Sequence, residues 1–223
     1  MNDLTTPYGD PLLGTVLGAL WRTALICTLS VGVATLSGLL MVTLWSASGK
    51  IMSEIIRIIV GMMDAVGPIL PSLAILSSLQ VKSEWITATL LGFLTWNVVA
   101  AFLRDETITL RKLPFIQAAV CLGLSPWKIL YRHSIPHILP RFIPLMLGLF
   151  SSAAGLMGAL GFLGIAGDAS HSLGFMIFDA KSFVQQSPSY FVAAFVAFLI
   201  LTVAPYVLIL VFFPSKAREI RKQ

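Results

Sequence analysis

Charged side chains are scarce in this 223-residue sequence, in which Asp, Glu, Lys and Arg together make up 11%. A soluble domain carries about 25% charged residues, so this chain has too few to cover a water-facing surface. Hydrophobic residues make up 57% of the chain and its mean hydropathy is +0.90. The composition therefore excludes an ordinary soluble domain and predicts a protein whose surface faces lipid.

Cysteines and catalytic motifs are also few. The sequence contains Cys27 and Cys121, which we expect in a membrane segment and in a cytoplasmic loop respectively, so no disulfide is predicted. A phosphate-binding loop is missing, because Gly49-Lys50 lacks the earlier glycine and Ile51 stands where a hydroxyl is needed. No nucleophile–base set with motif support is present. We therefore expect a non-catalytic chain that holds neither cofactor nor metal.

Five long apolar runs are present, and each is long enough to cross about 30 Å of hydrocarbon as an α-helix. A preceding run, 12–20, is expected to be an interfacial helix, and polar residues 1–11 do not resemble a cleavable signal peptide. The fold class predicted is all-α, a polytopic membrane helix bundle with about five transmembrane helices. The predicted spans are residues 21–45, 55–79, 86–103, 142–165 and 190–213.

The distribution of basic residues predicts the orientation. Most Lys and Arg residues flank one set of span ends, whereas the other ends carry only Arg22, Lys82 and Lys181. Positive charge favours the cytoplasmic side, so segments 46–54 and 105–141 are expected inside, and 80–85 and 166–189 outside. The N-terminus is then outside and the C-terminus cytoplasmic. This clustering between apolar runs also argues against a nucleic-acid partner for the net charge of +5.

The long basic loop reads as two short helices joined by a corner. Pro114 suits a first helical turn, Gly123 suits a position after a helix that needs positive φ, and Ser125-Pro126 suits the start of a second helix. Pro136 and Pro140 are expected to stop that helix and lead into the next span. Small Ala118 and Ala119 would let another protein approach closely, although a plain connector is the equal alternative.

The loop resembles the coupling loop of permeases in ATP-binding-cassette importers. The family pattern is Glu-Ala-Ala, three residues, Gly, nine residues, then apolar-x-apolar-Pro, and this chain has Gln117-Ala118-Ala119, Gly123 and Ile135-Pro136. The stretch 132–140 is similar to the dipeptide, oligopeptide and nickel branch of that family. Further similarities to this branch are Asp64 with the Pro-Ser-Leu at 71–73, Gly-Phe-Leu-Gly at 161–164 and Ser-Leu-Gly at 172–174.

The resemblance implies a bacterial inner-membrane permease that forms half of a pathway for peptides, nickel or metal chelates, or similar small polar solutes. The implied partners are a second homologous permease, two ATPase subunits that hold ATP and Mg, an extracytoplasmic substrate-binding protein and membrane lipid. The implied domains are an extracytoplasmic segment 1–20, a permease domain 21–213 containing the coupling loop 105–141, and a cytoplasmic tail 214–223. The residues carried over for ATPase coupling are Gln117, Ala118, Ala119, Gly123, Ile135 and Pro136.

Three departures from the family pattern are visible. Gln117 replaces the leading Glu, which would turn a charge-assisted contact into a neutral hydrogen bond. Met157 stands where an acidic residue is common before the Phe-Leu-Gly stretch. Members of the branch usually carry one more N-terminal span before the region where this chain begins.

Several polar residues are further candidates. Asp64 lies inside a predicted span, where a charge is costly and usually faces the bundle interior; a pathway residue and a structural hydrogen-bond partner are the alternatives. Asp168 and His171 lie in the outer loop, where substrate or binding protein would arrive. His133 and His137 are four positions apart, but Pro136 separates them and no third ligand is evident, which disfavours a metal site.

Two other function classes compete with the importer. A secondary transporter or channel independent of ATP would need no coupling loop, and five spans do not divide into the repeated halves such carriers often have. A membrane-embedded assembly or regulatory protein could also use a long basic loop, although the glycine and prolines at family spacing argue against it. Binding of an ATPase subunit to the loop would discriminate among the three.

Overall fold

The computed structural model describes residues 11–47, 50–79, 83–110, 112–121, 123–129, 135–165, 172–185 and 187–212. The regular elements of these segments are helical, which confirms the all-α fold class. A short 3₁₀ turn, Lys181–Phe183, follows the ninth helix. The helices are α1 Leu12–Ala47, α2 Lys50–Val66, α3 Ile69–Leu79, α4 Glu84–Leu94, α5 Trp96–Leu110, α6 Pro114–Cys121, α7 Pro126–Ile129, α8 Ile135–Phe162, α9 Leu173–Ala180 and α10 Pro188–Phe212.

The predicted membrane spans are recovered with altered boundaries. Four helical stretches are long and apolar enough to cross a membrane, namely Leu12–Trp45, Glu84–Leu110, Ile138–Phe162 and Pro188–Phe212. The α2–α3 pair is a fifth if its two parts, Arg57–Val66 and Ile69–Leu79, form one bent span. The described part of the chain thus has four or five candidate spans, as the sequence indicated.

The first helix is longer than expected. The predicted boundary after residue 20 falls inside α1, which continues without a break from Leu12 to Ala47. Leu12, Ala19 and Ile26 are all buried in one apolar cluster, so the stretch before Arg22 packs with the bundle along the same helical face. Because the apolar contacts continue across the predicted boundary, the sequence has no reason to break the helix there.

The third and fourth spans extend further toward the basic loop than predicted. The third span was predicted to end at residue 103, but α5 continues to Leu110. Pro136 and Pro140 were expected to stop the second short helix, and this was wrong, because that helix, α7, ends at Ile129 and both prolines lie inside α8. An ion pair joins the two polar extensions, since Arg141 of α8 binds Glu106 of α5 at 2.8 Å. Neighbouring helices can also satisfy backbone groups freed by a proline in a membrane helix.

The core consists of two apolar clusters along α1. One joins the first half of α1 to α4, α9, α10 and the second half of α8; the other joins the second half of α1 to α2, α5 and the first half of α8. Small residues allow the close approach: a Cβ added at Gly92 would lie 2.4 Å from the carbonyl oxygen of Ser30. The helix α1 is therefore the central element against which both halves of the bundle pack.

Candidate functional site

The break between α2 and α3 borders a cavity among the described residues. The two helices meet at 76° around Gly67 and Pro68. Gly67 has a φ of 68°, a left-handed value that suits glycine, and its N–H still donates to the Met63 carbonyl at 3.1 Å. Pro68 cannot donate in a helix, so the chain turns there and α3 restarts with Ser72 N–H donating to the Pro68 carbonyl.

The cavity has a volume of about 870 Å³ and lies between the α2–α3 break, α5, α8 and α10. Its wall is mostly apolar, with Phe102 from α5, Leu145 and Leu149 from α8 and Ile209 from α10 among the contributors. The polar groups at its wall are Asp64, Thr95, Asn97, Ser152 and Tyr206. This volume and composition are typical of a site for a small organic solute.

Asp64 is held at the cavity wall by a neighbouring helix. The side-chain amide of Asn97 in α5 donates a short hydrogen bond to Oδ1 of Asp64 in α2. Asn97 is 5% exposed, whereas Asp64 is exposed toward the cavity. The position of Asp64 therefore suits both predicted roles, a pathway residue and a structural hydrogen-bond partner, because its carboxylate both lines the cavity and bonds a neighbouring helix.

The hydroxyl groups at the cavity differ in availability. Thr95 donates to the carbonyl of Leu91 at 2.9 Å, which ties it to the junction of α4 and α5. Ser152 and Tyr206 are exposed and make no hydrogen bond to another described residue. These two hydroxyls are free to bond a solute that enters the cavity.

The second candidate surface is the α6–α7 unit, residues 114–129. Pro114 begins α6 and Pro126 begins α7, as predicted, and Ser125 lies directly before α7, with its carbonyl accepting from Ile129 N–H at 3.1 Å. Ile116 and Ile129 are buried against each other with Leu124 packed beside them. The unit is thus a small folded corner with its own apolar core, which also touches α1 through α7.

The coupling residues of the predicted motif fall on this corner and on the start of α8. Gly123 has a φ of 75°, which confirms the expected positive φ after α6. Gln117 is exposed, and its side-chain amide makes only a long contact of 3.4 Å to the Lys112 carbonyl. Ala118 and Ala119 follow it in α6, whereas Ile135 and Pro136 open α8. The structure therefore places the two halves of the motif on different helices.

At the end of the bundle opposite the α6–α7 unit, contacts join α1, α4 and α9. We call this end of the bundle the α9 end. Arg22 Nε donates to Glu84 Oε2 at 3.0 Å, and the Leu173 N–H donates to Thr23 Oγ1 at 3.0 Å. Lys181 lies over the rings of Phe178 and Phe162 at 4.0 and 5.3 Å. Glu84, Leu173 and Lys181, which flank or belong to the segments predicted to lie outside, thus lie at one end of the bundle, with α6 and α7 at the other. Asp168 and His171 lie outside the described residues.

Two glycines from the stretches 161–164 and 172–174, which resemble the family branch, are in direct contact. A Cβ added at Gly161 in α8 would lie 2.8 Å from the backbone of Gly174 in α9. Met157, which stands at the position of the family's acidic residue, is buried in the apolar cluster beside this contact. The motif glycines therefore serve close packing between α8 and α9.

Sequence reasoning missed Asn97, Ser152 and Tyr206 as cavity residues. Asn97 lies in a predicted span, and an uncharged amide there is the kind of polar group that needs a partner, so it could have been paired with Asp64. No cluster of three metal-ligating side chains occurs within the described segments. His137 is the third residue of α8 and His133 lies outside the described residues, so the expectation that this pair holds no metal stays a prediction.

Known proteins resemble this chain over the regions just described. Residues 34–218 match the family described as binding-protein-dependent transport system inner membrane component, a range that includes the cavity and the α6–α7 unit. The dipeptide transport system permease protein DppC of Alkalihalophilus pseudofirmus is 33% identical over 93 residues, which cover 41% of this chain and 30% of that protein.

A second relative is the peptidoglycan transport system permease protein YejE of Agrobacterium fabrum. It is 25% identical over 119 residues, which cover 53% of this chain and 31% of that protein. The matched part of the chain thus spans about a third of the length of either relative. The family match extends over most of the chain, and it describes a multi-pass membrane component. The chain therefore belongs to the family of inner membrane components of binding-protein-dependent transport systems.

Proposed function

We propose that this chain is a permease subunit of an ATP-driven importer and forms half of its translocation pathway. The observation that carries the proposal is the family match, since it covers both the cavity-forming helices and the α6–α7 unit in one stretch. Two separate ATPase subunits would hydrolyse ATP with Mg, a second permease would complete the pathway, and an external binding protein would deliver the solute. The chain itself would hold no cofactor.

The α6–α7 unit suits the role of a coupling element because it is compact and connected to the spans. Its buried pair, Ile116 and Ile129, makes the two short helices move as one body. A push on the exposed face that carries Gln117 would pass through α7 to α1. Closure of the ATPase could in this way move the central helix of the bundle. The interior contact of α1 with α4 and α5 would carry the motion toward the cavity.

Peptides are the solutes we propose first. The names of the two relatives concern dipeptide and peptidoglycan transport, and both matched regions cover about a third of those proteins. Nickel or another metal chelate is the second candidate, and it rests on the sequence resemblance alone. Uptake of a labelled dipeptide compared with uptake of labelled nickel, in the same reconstituted complex, separates the two.

The decisive experiment is affinity purification of the tagged chain from its native membrane in a mild detergent. We expect a second permease and an ATPase to co-purify in stoichiometric amounts, with measurable ATP hydrolysis. A chain that purifies without ATPase and still moves solute would overturn the proposal in favour of an ATP-independent carrier. A chain that purifies without ATPase and moves no solute would instead favour an assembly role.

A further inference from the structure

We propose that the cavity at the α2–α3 break binds the protonated amino group of a small, otherwise apolar solute, with Asp64 as its ionic partner. This inference deepens the proposed function, because it names the chemical group that the pathway recognises. It concerns a single carboxylate and the wall around it. The family match by itself assigns no ligand to this position.

The charge of the cavity wall favours a cation. Asp64 is the one ionisable Asp, Glu, Lys or Arg side chain among the described residues that line it. Asn97 occupies Oδ1 of that carboxylate, and Oδ2 has no hydrogen-bond partner within the described part of the chain. Asn97 therefore fixes the orientation of the carboxylate while leaving its second oxygen for a ligand. An anionic group at this place would be repelled.

The kinds of polar group at the cavity wall favour an ammonium group over a metal ion. A hard cation such as Mg²⁺ or Ca²⁺ takes six or more oxygen ligands, whereas no group of three His, Cys, Asp or Glu side chains capable of holding a metal is found in the described segments. An ammonium group needs about three acceptors. Asp64 Oδ2 and the hydroxyls of Ser152 and Tyr206 line the same cavity and could act as such acceptors.

The remainder of the wall favours an apolar body attached to the amine. Met63, Val98, Leu149 and Leu210 line the cavity, so a solute with many further charges would lose hydration without compensation. Phe102 and Tyr206 also line the cavity, and an aromatic ring attracts a cation that lies over its face. A short peptide with a free N-terminus and small or apolar side chains has this combination of groups.

Labelling of a cysteine in the cavity tests the inference without relying on transport. Gly155 lines the cavity, and a Cβ added there would meet no atom within 4 Å, so Gly155→Cys places a thiol in open space. The exposed Cys121 is removed by Cys121→Ser, and buried Cys27 is kept. The full chain, purified with its partner subunits, is labelled with an uncharged maleimide in the presence of alanyl-alanine amide or its N-acetylated counterpart.

We expect the amide with a free amino group to slow labelling at a concentration about fivefold or more below that needed by the acetylated compound, because an ammonium–carboxylate hydrogen bond is charge-assisted. Asp64→Asn should abolish this difference and Asp64→Glu should retain most of it. Asp105→Asn is the matched control, because Asp105 is an exposed carboxylate paired with Arg104 away from the cavity. The difference should be unchanged in that variant.

In the chain that keeps Asp64, the inference is overturned if the two dipeptides protect the introduced cysteine equally, or if neither protects it. This holds whatever the variants show. A difference that persists in Asp64→Asn would also overturn it. Loss of ATPase from the preparation would contradict the proposed importer but not the binding result, so the two failures are distinguishable. Recovery and monodispersity of each variant show whether it has folded.

Discussion

Gly123 shows how one residue determines the form of a possible coupling surface. Its φ is 75°, and a Cβ added there would meet no atom within 4 Å. Space is therefore available, and only the backbone conformation restricts which residue can stand there. Asparagine visits the left-handed region far more readily than a β-branched residue does. Comparison of asparagine with a β-branched residue at this position therefore tests the need for a positive φ separately from the need for a small side chain.

We expect Gly123→Val to reduce the ATPase activity that co-purifies with the chain at least about tenfold, because a β-branched residue is strained at positive φ and would reorient α7. Membrane insertion and chain yield should be unchanged. Gly123→Asn is the matched control and should retain most of the ATPase. Normal ATPase recovery with Gly123→Val would contradict the coupling role of this corner.

A second prediction at this scale concerns the ion pair at the α9 end. Glu84 is 3% exposed and one of its oxygens, Oε1, has no hydrogen-bond partner among the described residues. Arg22→Ala would leave this buried carboxylate without its cation, and we expect it to lower the free energy of unfolding in detergent by about 1–3 kcal/mol. The decrease should appear as a lower thermal denaturation temperature.

The control for Arg22 is Arg57→Ala. Arg57 pairs with Glu54 at 2.8 Å, but both side chains are more than 60% exposed, and such surface pairs contribute less than about 1 kcal/mol. Similar losses for the two variants would show that burial of Glu84 is not what makes its pair important.

At the scale of helices, direct glycine contacts determine how closely elements approach. The contact of Gly161 with Gly174 brings the end of α8 against the start of α9, and the hydroxyl of Thr23 fixes α9 to α1 through the Leu173 N–H. The same stretch of α8 contacts α10, because a Cβ at Gly158 would lie 2.3 Å from the Phe198 ring. Helix α8 therefore has two closely packed faces near one end.

Gly161→Ala should be destabilising by about 1–3 kcal/mol, because the added methyl meets backbone atoms that no side-chain rotation can move aside. Gly155→Ala lies in the same helix and meets nothing within 4 Å, so it should be neutral or stabilising by up to about 1 kcal/mol. Thermal denaturation of the detergent-solubilised chain compares the two. A smaller effect for Gly161→Ala than for Gly155→Ala would show that the α8–α9 contact relaxes easily.

At the scale of the whole molecule, the two ends of the bundle differ in architecture. The α9 end contains the Arg22–Glu84 pair and the packed α9 helix, whereas the other end carries the α6–α7 unit and the Arg141–Glu106 pair. The family places the chain in an inner membrane. The orientation with α6 and α7 in the cytoplasm is our proposal from the basic residues.

A labelling experiment tests this orientation. Cys121 is exposed in α6, so a membrane-impermeant maleimide should leave it unlabelled in intact spheroplasts and label it after permeabilisation. In a Cys121→Ser background, Ser182→Cys in the exposed turn after α9 should be labelled in intact spheroplasts. The reverse pattern would invert the topology and contradict the assignment of α6 and α7 to ATPase coupling.

Much of the bundle could be predicted because lipid imposes strong rules on sequence. Apolar runs of sufficient length predicted the spans. The positions of Pro114, Gly123 and Pro126 predicted the corner of the α6–α7 unit, since each of these residues has a local backbone preference. The errors fell at three places: the predicted boundary after residue 20 lies inside α1, α5 continues past residue 103, and Pro140 lies inside α8. At each place, contacts with neighbouring helices support the continued helix.

The sequence by itself determined the membrane class, the helical secondary structure, the approximate spans and the family, because these depend on composition, run length and local motifs. Only the tertiary structure showed that Asn97 holds Asp64, that Gly161 meets Gly174 and that α9 packs against α1. These relations join residues far apart in the chain. Their partners are selected by which helix faces meet in space, and no local preference of the sequence specifies that.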